Sequence, residues 1–486
     1  MPPPSATPID VAPGRRLPRL LGAGFGVAVG VGSMIGAGIL RAPADVARLL
    51  PTPGLFLGVW LLGGAYALLG ANALAELGAM HPRSGGQFAL VRRAFGPFPG
   101  FVVGWNDWLS TCGSAAAVAL VVGEALEALA RLALGRPGPG AQGADVALGA
   151  ARSGWPPLLA VALVAATVAL VWREPRTADR AQRLASLAKG IALLALVASC
   201  LVHAAAHGLP PALSAAGGVA GAAAPSLPVR LGALVVALQG VIYAFDGWTG
   251  PLYFGEEVRD PGRDLPRAML GGVLAGLALY LLVGIALLAV LPLPVIAGAT
   301  LPAASAAGVV FGAAGAPVLR ALVVVALPSA VLANLLMGSR VAFALGRDLA
   351  GAAAVDARSA GAGRALGWLA GTAPSGVPRP ALAASAVAAM LFAATGAFER
   401  VIALCATLFV ASYAVSYAAV FALRRREPAS PRPWRAWGHP WTTGAVLAGS
   451  LAFLAGVAAA APADGAMAAA LVLASYPVHR LLGGRR

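Results

Sequence analysis

Lysine is almost missing from this chain of 486 residues: of 35 Lys plus Arg, only Lys189 is lysine. Cysteine is nearly as scarce. Cys112, Cys200 and Cys405 form an odd set without framework spacing, which excludes a disulfide-stapled domain and suits small buried hydrophobes. Charged residues make up 11% of the chain and only 19 are acidic, too few to clothe a water-soluble globule of this length. No phosphate-binding Gly/Lys loop, metal-ligand cluster or nucleophile constellation is present, so nothing points to an enzyme, a cofactor or a metal. The five histidines sit mostly at the ends of apolar runs. His203 and His207 share helical spacing but lack the acidic company of a metal site.

What is abundant is apolar: 59% of residues are hydrophobic and the mean hydropathy is +0.81. Runs of about 20 residues, enough to cross a hydrocarbon core, recur along the whole chain. Twelve are expected, near 20–44, 54–80, 98–130, 156–172, 184–205, 229–254, 268–291, 318–345, 380–396, 399–423, 441–461 and 466–479. The fold class is therefore all-α integral membrane. The net charge of +16 is distributed unevenly, and 26 of the 34 arginines fall on one side of this arrangement. They occupy the N-terminal tail, the loops at 83–93, 173–183, 259–267, 340–379 and 424–435, and the C-terminal tail. By the positive-inside rule both termini are cytoplasmic, and the basic balance calls for a lipid bilayer rather than nucleic acid.

The first apolar run contains Val29-Gly-Val-Gly-Ser-Met-Ile-Gly-Ala-Gly-Ile39, with glycines that each cost a helix about 1 kcal/mol relative to alanine. Close helix packing is one use for small residues in membranes. The other is a deliberate break, whose freed backbone groups line a cavity. A second cluster of breakers, Tyr243-Ala-Phe-Asp-Gly-Trp-Thr-Gly-Pro251, interrupts the sixth run. Five spans separate the two, and because five is odd the second group enters the membrane from the opposite side. That is the signature of an inverted repeat with a midplane site. The expected organisation is a tail at 1–19, one repeat at 20–205, an outer loop at 206–228, a second repeat at 229–423, and two accessory spans with a tail at 424–486. A free helix start such as the second half of span one is an anion site.

Several motifs in order resemble the amino acid-polyamine-organocation (APC) permease superfamily, nearest the branch of L-type amino acid exchangers and bacterial amino acid permeases. They are Gly32-Ser-Met-Ile-Gly-Ala-Gly-Ile39, Ala75-Glu-Leu77 with Pro82-Arg-Ser-Gly-Gly86, and Phe101-Val-Val-Gly-Trp105. Phe245-Asp-Gly-Trp248 follows with Glu256-Glu-Val-Arg-Asp-Pro261 and Pro266-Arg-Ala268, then Ser339-Arg340 with Ala344 to Asp348. Ala37 stands where the family often has Ser, and Phe88 where Tyr is common. The resemblance implies a LeuT-like fold of 5+5 spans with helices 1 and 6 interrupted. It implies that backbone at Gly36, Ala37 and Gly38 holds a substrate carboxylate. Carbonyls near Ile35 and at Tyr243, Ala244 and Phe245 would accept from the substrate ammonium, and Tyr243 matches an aromatic gate.

Asp246 is open to three readings: a contact to substrate, a cap on the broken helix, or a proton carrier. Lys189 matches a lysine that some permeases place in the fifth helix beside the broken first one, with Gly32 its backbone neighbour. A lysine can give up its proton where an arginine cannot, so a coupling role is expected; a side chain snorkelling to the surface is the alternative. Asn106, Ser329, Asn334 and Thr407 are polar candidates for the side-chain pocket. The expected function is a secondary active transporter of amino acids in the cytoplasmic membrane, working by alternating access and driven by protons or by a counter-substrate. A polyamine or organic-cation permease and a membrane amino acid sensor are the alternatives.

Overall fold

The computed structural model describes residues 22–83, 85–135, 155–173, 175–210, 226–255, 258–354, 368–372 and 377–481. The expected 1–19 tail, most of the 206–228 loop, Glu256 and Glu257, much of the 347–379 connection and residues 482–486 lie outside the described residues. Within them the chain runs α1 (Ala23–Met34), α2 (Ala37–Leu49), α3 (Pro53–Met80), α4 (Gln87–Phe95), α5 (Pro97–Ala133), α6 (Trp155–Arg173) and α7 (Pro175–His207). After these come α8 (Leu227–Phe245), α9 (Gly250–Tyr253), α10 (Pro261–Val290), α11 (Leu293–Gly298), α12 (Pro302–Phe311), α13 (Gly315–Ala326) and α14 (Pro328–Ala354). The last four are α15 (Arg379–Ala394), α16 (Phe398–Arg426), α17 (Trp441–Ala460) and α18 (Pro462–Leu481).

Nine stretches among the described residues are long and apolar enough to cross a membrane. They are α3, α5, most of α6, the second part of α7, α8, α10, residues 302–348, α16 and α17. Expected spans one, nine and twelve are not among the nine. The first is divided into helices of 12 and 13 residues, α15 is an apolar helix of 16 residues, and α18 has 20 residues with Asp464 in its first turn.

Prolines set many of the boundaries. α7 starts at Pro175 rather than near Leu184, so Arg176, Arg180 and Arg183 lie in its opening turns and not in a loop. Proline suits that first position because the amide it lacks would have no helical partner. α11 and α12 fill a region between spans seven and eight where no element was expected, and each has proline in its first turn. Span eight is divided at Leu327, just before Pro328.

α5 is the axis of the bundle, buried almost without interruption from Gly100 to Ala125. Its small residues, Gly113 and Ala115 to Ala117 among them, let neighbouring backbones approach, the usual basis of helix association in lipid. Many large apolar side chains, such as Leu61 and Leu391, are exposed, as a lipid-facing surface requires.

One end of the bundle is basic and tightly strapped. Glu76 of α3 is fully buried and accepts from Arg424 Nε at 2.8 Å and from the Ala436 amide at 2.8 Å, with Arg432 Nε 3.2 Å away. Asn72 exchanges hydrogen bonds with the Trp437 backbone, so the segment between α16 and α17 is held against α3. At the same end, Arg93 of α4 donates from Nε and Nη2 to Glu427, just past α16, at 2.9 and 3.1 Å. Burial acts to raise the Glu427 carboxyl, but the Arg93 guanidinium outweighs it and holds the group below the usual carboxylate range.

Candidate binding site at two helix interruptions

α1 ends at Met34 because Ile35 and Gly36 leave helical geometry: Ile35 has ψ of 79° and Gly36 is fully extended at φ −132°, ψ −152°. The Ile35 amide still closes onto Val31 O at 2.9 Å, and the Gly36 amide turns back onto Met34 O at 2.8 Å. Gly36 has thus spent the donor that the sequence assigned to an anion. The amides of the first α2 turn, at Ala37, Gly38 and Ile39, have no partner within the helix and lie at its positive pole. Gly38 is needed for contact, since a Cβ there would come within 2.5 Å of Ala244 Cα.

The second interruption follows α8. Asp246 leaves the helix at ψ 145° while its amide donates to Ile242 O and Tyr243 O at 3.0 and 3.2 Å. Its Oδ1 accepts from the Tyr413 hydroxyl at 2.8 Å. Gly247 takes φ of +113°, a conformation L side chains rarely adopt, and a Cβ there would sit 2.7 Å from Ser33 Cβ. The two breaks therefore pack directly on one another.

Between them is a narrow, partly open cavity of about 20 Å³, lined by Ser33, Met34, Gly36, Ala37, Gly38, Ser114, Val118, Tyr243, Asp246, Gly247 and Asn334. Of the eight residues expected to bind substrate, Gly36, Ala37, Gly38, Tyr243 and Asp246 are in this lining, and Ile35, Ala244 and Phe245 are not. The Ala244 carbonyl, expected to receive an ammonium, accepts from the Tyr280 hydroxyl at 2.6 Å. The Phe245 ring packs edge-on against Tyr280, with centroids 4.9 Å apart. Asn334 alone of the four polar pocket candidates lines the cavity; Asn106, Ser329 and Thr407 are buried elsewhere in the bundle.

The walls are electrostatically unequal. The start of α2 presents amides and the positive end of its dipole, whereas the ends of α1 and α8 present carbonyls, reinforced by the Asp246 carboxylate. Such a cavity is complementary to a small molecule carrying an anionic and a cationic group a few ångströms apart.

Lys189 is turned inward. Its neighbours Leu187 and Ile191 are 63% and 59% exposed, while Lys189 is 5% exposed and its Nζ donates to Gly32 O at 3.3 Å. Snorkelling is excluded by that burial and by the helix, which extends back to Pro175. The ammonium lies near the carbonyl end of α1, where a cation is favoured. Away from the basic end, Arg41 of α2 is paired with Glu124 of α5 and with Glu399 of α16, the latter at 2.7 Å, and lies 4.2 Å over the Phe398 ring. Among the described residues no group of three His, Cys, Asp or Glu side chains could hold a metal.

Tyr280 was not anticipated. Its hydroxyl stands 2.6 Å from both Met34 O and Ala244 O, so one donor from α10 serves the broken ends of two helices. The only signal in the sequence was a tyrosine in a span otherwise almost free of polar groups. Ser33 and Ser114 were missed for the opposite reason, since serine is too common in membrane helices to stand out.

The family described as "Amino acid permease" matches residues 26–477. The chain is 27% identical to the b(0,+)-type amino acid transporter 1 of Mus musculus over 264 residues, 53% of this chain and 48% of that protein. It is 31% identical to an uncharacterized transporter of Mycobacterium tuberculosis, covering 55% and 52% of the two chains. It is 25% identical to the serine/threonine exchanger SteT of Bacillus subtilis, covering 55% and 54%. These alignments span about half the length of the curated relatives. With a family match across nearly its whole length, the chain belongs to the amino acid permease family.

Proposed function

We propose that this protein is a secondary active transporter that carries amino acids across the cytoplasmic membrane by alternating access. The observation that carries the reading is the cavity where α2 starts and α8 ends, with free amides on one wall and the Asp246 carboxylate on the other. A zwitterionic amino acid backbone satisfies both walls. The carboxylate belongs at Ala37 and Gly38, and the ammonium on the side of Asp246. Because these contacts are mostly main-chain, recognition of the amino acid backbone leaves side-chain choice to Tyr243, Ser114 and Asn334.

In this reading the nine apolar stretches, the divided first helix, α15 and α18 make twelve spans, with both termini cytoplasmic. The two interruptions, with α3, α5, α6 and α7 between them, mark corresponding helices of a 5+5 inverted repeat. Coupling runs either through Lys189, whose protonation sets its hold on Gly32, or through exchange for a counter-substrate. The names of the Bacillus exchanger and the mouse transporter support amino acid substrates. Asp246 in the cavity lining favours a second reading, a permease for polyamines or other organic cations.

Reconstitution into liposomes with labelled amino acids and diamines, with and without a pH gradient or internal substrate, tests both. Uptake driven by the gradient identifies proton coupling, and uptake that requires internal amino acid identifies exchange. Diamine uptake without amino acid uptake replaces the first reading with the second. Binding without movement under any condition rejects transport in favour of a sensor.

A further inference from the structure

The axial helix α5 carries a polar stripe at helical spacing, Asp107, Thr111, Ser114, ending at Val118. Ser114 and Val118 line the cavity. Asp107 lies two turns nearer the basic end, about 10 Å along the axis from Ser114 at 1.5 Å per residue. It is 2% exposed. Its Oδ1 accepts from the Tyr253 hydroxyl of α9 at 2.6 Å, while Oδ2 has no hydrogen-bond partner among the described residues. The adjacent Asn106 Oδ1 is likewise buried without a partner. The hydroxyls of Ser110 and Thr111 bond to carbonyls of their own helix, and among the described residues no Arg, Lys or His is paired with Asp107.

A carboxyl group at membrane depth with no basic partner is expensive and is normally kept for a pathway. A structural role as acceptor for Tyr253 needs only one oxygen and no charge, and an asparagine would fill it. The second, unspent oxygen is a surplus acceptor that calls for a cationic donor.

We propose that Asp107 forms a second binding station, for the ammonium group of a substrate passing between the cavity and the basic end, and that the Tyr253 hydroxyl occupies this carboxylate when no substrate is there. This rests on the transport reading above, which puts the basic end in the cytoplasm. The station ligand is a primary ammonium, whatever side chain follows it.

The test is sided. Full-length protein is reconstituted in one orientation, and half-saturation for a labelled amino acid is measured from each face. Asp107→Asn keeps an acceptor for Tyr253 but removes the charge. Its half-saturation from the basic face rises about tenfold, the loss of one charge-assisted hydrogen bond, while that from the opposite face stays within about twofold. Tyr253→Phe, which removes the competing hydroxyl, lowers half-saturation from the basic face. If Asp107→Asn changes neither face or both equally, the station is rejected. If that variant does not fold, unchanged or raised half-saturation in Tyr253→Phe rejects it instead. Failure of the transport reading shows separately, as absence of uptake in the parent protein from either face.

Discussion

The two helix interruptions face one cavity but are held in opposite ways. The first, at Ile35 and Gly36, has no side chain of its own to satisfy it. Its last carbonyls are met by visitors, Lys189 from α7 at Gly32 and Tyr280 from α10 at Met34. The second shares the Tyr280 hydroxyl, at Ala244 O, but adds a side chain of its own: Asp246 stands at the end of α8, accepts from Tyr413 of α16, and is followed by a glycine fitted to the turn. A break that depends on other helices responds when those helices shift. A break that contributes an anchoring side chain of its own is held more firmly. In the proposed transport cycle the first interruption is therefore the place for coupling to act, and the second the place where the site is held.

The largest expected effect comes from filling the first break. A Cβ at Gly36 would make only ordinary contacts, 3.7 Å to Ser33 O and 3.8 Å to Val118 Cγ2, so Gly36→Ala should bind substrate nearly as the parent does. Gly36→Leu projects into the cavity and denies a carboxylate the amides of α2. Loss of two charge-assisted hydrogen bonds, about 3 kcal/mol, weakens binding about a hundredfold and abolishes uptake at ordinary concentrations. Substrate binding to purified, monodisperse protein measures this, and retained affinity in Gly36→Leu would remove the first break from the site.

Lys189 is next. If its proton governs the hold on Gly32, uptake by the parent responds to pH, and both Lys189→Ala and Lys189→Arg lose that response, one by never carrying charge and the other by never shedding it. Initial uptake rates across a pH series decide the matter. A parent-like profile in the arginine variant leaves Lys189 as a structural tie only.

How much of this was legible in the sequence follows the same division. Glycines inside an apolar run allow either close packing or a backbone break, and their repetition five spans apart is what made the interruptions at Ile35 and Gly36 and after Phe245 legible. The inward lysine was legible because every other basic residue is arginine. What hydrogen-bonds to a freed carbonyl could not be read, since it depends on which distant helix comes alongside. Sequence reasoning thus offered Ala244 O to an ammonium and the Gly36 amide to a carboxylate, whereas Tyr280 and Met34 O occupy them. The start of α7 was misplaced because Arg176, Arg180 and Arg183 look like a loop by charge, although the backbone is helical from Pro175.

Smaller effects sharpen the contrast through stability. Gly247→Ala puts a side chain at φ +113° against Ser33, and the strained conformation alone costs about 1–3 kcal/mol. Because the second break is the more firmly held, the damage should appear as a lowered unfolding temperature together with weaker binding. Tyr280→Phe should cost less, about 1–2 kcal/mol, since it removes a single donor from buried carbonyls and leaves the ring packing on Trp60 and Phe245 intact. Yet that one hydroxyl stands between Met34 O and Ala244 O and is the only side-chain donor seen to reach both breaks among the described residues. Combining Tyr280→Phe with Lys189→Ala removes both visitors from the first break, and takes from the second only the hydroxyl at Ala244 O, leaving Asp246 and Tyr413 in place. If the first break is the mobile one, the two losses reinforce each other in uptake rate while the stability costs simply add. Costs that add in both measurements would mean the two interruptions are equally rigid, and that the difference between visiting and resident partners has no mechanical consequence.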